Sequence, residues 1–106
     1  MLRSNVLESM KANYSASRIE WLKTTHRVVA VNAALHHWVF AVHSALSQGV
    51  RAIVDAHRRD FYEIEIGNRW FYIHVAERIE RVFVIAAGKT STPSLESEIL
   101  SAAAVQ

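Results

Sequence analysis

The chain has 106 residues, 51% of them hydrophobic and 21% charged, with three Gly, one Pro and no Cys. That composition excludes a disulfide framework, a thiolate metal site and a cysteine nucleophile, and it argues against disorder. Twelve Lys and Arg against ten Asp and Glu give a net charge of +2, too small to imply a nucleic-acid partner by itself. The length suits one domain over residues 1–106. The longest apolar stretch, Val28 to Leu46, is broken by Asn32, His36, His37 and His43, so no membrane span is expected. No signal-peptide pattern follows Arg3, and a cytoplasmic protein without membrane contact is expected.

In chain order, Val6, Met10, Ile19, Trp21 and Leu22 have a spacing that predicts an amphipathic helix, interrupted near Tyr14 and Ser15. Ser17 and Glu20 would form a capping box for its fresh start. Thr24 to Val31 is rich in β-branched residues and fits either a helix or a short strand. A second helix is predicted from about Asn32 to Ser47, with Gly49 as its stop signal. Val50 to Ala56 reads as a strand. Phe61 to Ile66 alternates with a period of two, and Gly67-Asn68 sits where a two-residue hairpin loop belongs. Residues 69–76 form the return strand, Glu77 to Glu80 a charged turn, and Arg81 to Ala87 a third strand. After a loop from Lys89 to Pro93, Ser94 would cap a short C-terminal helix. The expected architecture is α+β: N-terminal helices packed on a small antiparallel β-meander, with a short C-terminal helix.

A turn at 67–68 sets the register, placing Glu65 opposite Trp70, Glu63 opposite Tyr72 and Phe61 opposite His74. Tyr62, Ile64, Ile66, Phe71, Ile73 and Val75 then share the core face, joined by Val82 and Val84. The other face combines Phe61, Glu63, Glu65, Trp70, Tyr72, His74, Arg81, Phe83 and Ile85. Aromatics mixed with ionisable groups suit a ligand face or a subunit interface better than a solvated surface.

No metal or other cofactor is expected. His36 and His37 are adjacent and diverge on a helix, while His36 and His43 stand about 10 Å apart along its axis. Arg51, His57, Arg58 and Arg59 make the densest basic cluster, suited to phosphates though diluted by Asp55 and Asp60. No Gly-x-Ser-x-Gly elbow, phosphate loop or dinucleotide fingerprint is present.

Residues 61–104 resemble the C-terminal half of the RelE/HigB-type toxin superfamily, ribosome-associated mRNA endonucleases neutralised by antitoxin proteins. Phe61 to Ile66 is similar to its "YELRI" strand, and Arg69-Trp70-Phe71-Tyr72 to the "R-x-x-Y" strand that follows. Arg81 to Ile85 resembles the third strand, and Gly88 to Pro93 with Glu96, Glu98, Ile99 and Ala102 the "KKTxKTPxxEIxxA" ending. The chain departs from that pattern at Glu65, where the family has an arginine, at Asn68, and at the single Lys89.

The resemblance implies that Arg69 contacts the scissile phosphate and Lys89 stabilises its charge, followed by Tyr72. His57, Arg58, Arg59, Arg51 and Arg81 would bind the RNA. His74 or Glu63 would move the proton, although the register puts both on the face opposite Arg69. Two readings result. One is an endoribonuclease-like toxin, or a weakened relative, with RNA or the ribosome and an antitoxin as partners. The other is a non-enzymatic homodimeric module that binds a small molecule or a protein on the aromatic face.

Overall fold

The alternation of residues 61–76 builds the centre of a six-stranded mixed sheet in a computed structural model that describes residues 18–90 and Leu95. The strands are β1 (Ile19–Leu22), β2 (Arg27–Ala30), β3 (Val50–Val54), β4 (Phe61–Ile66), β5 (Arg69–Ala76) and β6 (Arg81–Lys89). A 3-10 turn at Ala33–Trp38 leads into helix α1 (Val39–Gln48), which separates β2 from β3. Spatial order is β1-β3-β4-β5-β6-β2, so the first two strands of the chain end up on opposite edges. Only the β2–β6 pair is parallel among the described residues.

The β4–β5 register pairs Phe61 with His74, Glu63 with Tyr72 and Glu65 with Trp70, as the sequence predicts. Gly67 makes this possible. Its φ of 64° at the first loop position, with no positive φ at Asn68, is the pattern of a type II′ turn that follows the sheet's twist. Four residues then join β5 to β6, closing with Glu80 in a left-handed conformation and pairing Ala76 with Arg81.

Helix α1 covers one face of the sheet. Val42 and Leu46 are fully buried against Val28, Ala52, Ile64, Phe71, Ile73, Val75, Val82 and Val84. Leu35, Trp38 and Val39 complete the same helical stripe. Asn32 caps the segment by accepting from the Leu35 amide at 3.1 Å. Gly49 ends it at a φ of 95°, and the Trp21 indole lies so close that an added Cβ would come within 2.3 Å of its nitrogen. Removing the larger core side chains from water stabilises the fold by about 1.5–3 kcal/mol each.

Three expectations need correction. Ile19 to Leu22 is a strand rather than helix: Glu20 pairs with Ala52 and Trp21 with Arg51, with Ile19 and Trp21 alternating onto one face. The sheet is therefore larger than a meander and mixed rather than antiparallel, and among the described residues it is packed by a helical segment lying between strands, not by N-terminal helices. Within Thr24 to Val31, Arg27–Ala30 is strand β2. The third correction is a bulge in β6, where Ile73 pairs with Val84 and Tyr72 with Ala86, leaving Ile85 unpaired between them. The rest of the proposed first helix and of the C-terminal helix, Leu95 excepted, lies outside the described residues. Among the described residues no helix is long and apolar enough to cross a membrane.

Candidate functional site

Strand parity sends Phe61, Glu63 and Glu65 of β4, Trp70, Tyr72 and His74 of β5, and Arg81 and Phe83 of β6 to the face away from α1. On this open face the rings of neighbouring strands stand against one another. Phe61 and His74 stack at 4.3 Å with planes 4° apart, and His74 continues to Phe83 at 6.1 Å. The Arg58 guanidinium closes one end of the row, 4.3 Å above the Phe61 ring. The faces of Phe61 and His74 are thus spent on neighbouring groups.

Two carboxylates are buried beside this row. Asp55, at the end of β3, accepts from the Tyr72 hydroxyl and, at 2.8 Å, from the His57 amide. Burial first, and then this bond to Asp55, push the Tyr72 phenol up to about 12, with Arg58 acting in the opposite direction. Tyr62 is also raised, by burial and then by the charge of Glu20. Glu63 is 5% exposed and accepts the Leu95 amide at 2.9 Å, so the Leu95 backbone meets the open face here.

The catalytic set suggested by the resemblance is divided by the sheet. Arg69 and Lys89 are directly opposite each other across β5 and β6, but on the helix face, where Arg69 lies 4.6 Å above the Trp38 ring. Tyr72 and His74 lie on the open face. A backbone layer separates the cations from the groups that would move protons.

The expected RNA-binding cations are also dispersed. Arg51 is exposed on β3. Arg81 donates to the Ile79 and Glu80 carbonyls at 3.1 and 3.2 Å and holds the β5–β6 turn. His57, Arg58 and Arg59 do come together in the β3–β4 loop. With Arg18, Glu20, Asp55, Asp60 and Tyr62 they line a depression of about 460 Å³. Its charges are mixed.

Asp55 was missed as a member of the site. The available signal was an Asp two residues before a loop amide, the pattern of an Asx turn that closes a strand. Also missed was a groove between β2 and α1, where Arg27, His36, His37 and His43 assemble. Among the described residues, no group of three or more His, Asp or Glu is placed to hold a metal ion. Comparison of the chain with known protein families, characterised proteins and solved structures finds no match.

Proposed function

We propose that the chain is a non-enzymatic, self-associating module whose open sheet face holds polypeptide. The observation that carries this reading is the Leu95 amide donating to the buried Glu63 carboxylate, since it puts backbone on that face. The stacked row of Phe61, His74 and Phe83 gives a surface suited to apolar side chains. They leave few free ring faces for stacked bases. The same face runs outward through Arg51 and Ile53 to β1, where Ile19 and Trp21 are 54% and 70% exposed. A half-covered aromatic row bordered by exposed apolar side chains is the composition of a subunit interface.

Sedimentation of the wild type against Trp70→Glu and Ile19→Lys tests it. The wild type should sediment as a dimer and both variants as monomers, because a charge placed in the interface has no partner there. Ile19 is exposed, so its substitution leaves the fold intact. A wild type that stays monomeric at all concentrations removes the proposal.

One observation favours a second reading, endoribonuclease action on RNA. The direct pairing of Arg69 with Lys89 concentrates positive charge suited to a phosphate dianion. Cleavage would then draw its acid and base from the helix face, not from Tyr72 or His74. Arrested growth on expression, relieved by Arg69→Ala or Lys89→Ala with roughly 10²-fold slower RNA cleavage, is the expected signature. Wild-type chain that neither arrests growth nor cuts RNA ends this reading.

A further inference from the structure

We propose a second binding site in the groove between β2 and α1, for a small amphiphilic anion: one negative head on an apolar body. The groove holds about 690 Å³ and is lined by Thr25, Arg27, Val28, His36, His37, Val39, Phe40 and His43. That volume lies within the range of small-molecule sites, roughly 300–1,000 Å³.

Its chemistry is one-sided. The lining carries one guanidinium and three imidazoles, and no carboxylate. Among the described residues no acid pairs with any of these four groups, whereas His26 and Arg18 nearby in the chain are bound to Glu77 and Glu20. The β3–β4 depression offers a control within the molecule, because its cations are interleaved with Glu20, Asp55 and Asp60. An anion is favoured in the groove and opposed by carboxylates in the depression.

The apolar part of the ligand follows from Phe40. Its ring is 82% exposed, although it borders Val28 and Val39 in the groove wall. His36 of the 3-10 turn and Phe40 and His43, one turn apart on α1, all line the groove, so the ring shares its wall with imidazoles. An acyl chain or aromatic body would cover the ring while its head met Arg27 and an imidazole N–H.

Decanoate is the probe, followed by backbone-amide NMR shifts at neutral pH, with decyltrimethylammonium as the chain-matched cation. Decanoate should give saturable shifts centred on Arg27, Val39, Phe40 and His43, and the cation none. Arg27→Gln, His43→Gln and Phe40→Ser, all exposed positions that leave the core untouched, should each weaken binding about tenfold. Three results overturn the proposal: no saturation by millimolar decanoate, equal binding of the cation, or shifts confined to the open sheet face. Because this groove contains no residue of the proposed subunit interface, a monomeric wild type leaves it standing, and a silent groove leaves the interface standing.

Discussion

The two faces of the sheet use the same strands to different ends. On the helix face, Ile64, Phe71, Ile73, Val82 and Val84 are at most 1% exposed and pack in one apolar cluster with Val42 and Leu46 of α1. On the open face the alternating positions are Phe61, Glu63, Glu65, Trp70, Tyr72, His74 and Phe83. There, specific bonds replace close packing: Tyr72 to Asp55, Leu95 to Glu63, Arg58 over Phe61. One face supplies the apolar core and the other carries the proposed interface, and the division falls between adjacent residues.

The largest effect expected from this contrast is at Phe71. Phe71→Ala should cost about 3–5 kcal/mol in denaturant unfolding, through lost burial and the cavity left behind. Phe83→Ala on the half-buried open face should cost only about 1 kcal/mol while still disrupting the dimer. Equal losses would mean that both faces are core.

Next is Glu63→Ala, which should cost about 1–3 kcal/mol because the half-buried Leu95 amide loses its charged acceptor. Hydrogen exchange at Leu95 should accelerate in this variant. Unchanged exchange would show that the carboxylate does not hold the segment.

The smallest effect concerns alkaline pH. With its phenol raised from 10.0 to about 12, the folded chain keeps a proton that the unfolded chain releases. This contribution to stability is complete below pH 10 and is lost as pH rises towards 12. Asp55→Asn removes the charged acceptor but leaves the burial, so Tyr72 should ionise earlier and only partly return towards 10.0. Tyrosinate absorbance against pH measures the shift, and the alkaline limb of unfolding should flatten with it.

How far the sequence discloses this division depends on the distance between pairing partners. The β4–β5 hairpin is legible because a Gly-Asn turn and strict alternation set each residue's face. The separation of Arg69 from Tyr72 and His74 follows from the same parity. Strands β1 and β2 are four residues long, too short for a period of two to be told from a helical turn. Their partners, β3 and β6, lie beyond the helix or near the end of the described chain, and a parallel pairing leaves no turn behind as a marker. The bulge at Ile85 has no sequence signature at all. Asp55 was hidden for another reason: a strand-ending acid looks like loop until a tyrosine two strands away is placed beside it.

The placement of β1 and β2 on opposite edges has a consequence for synthesis. Both strands leave the ribosome before the hairpins they flank, and β2 pairs residue for residue with Arg81 to Val84, among the last strands described. As an edge strand with β6 as its one described partner, it waits unpaired until nearly the whole sheet exists. Such long-range closure makes for slow folding, with β4 to β6 assembling first and β2 sealing the structure last. A nascent chain stalled before residue 81 would carry an unpaired Arg27-Val28-Val29-Ala30 strand, available to whatever edge it meets first.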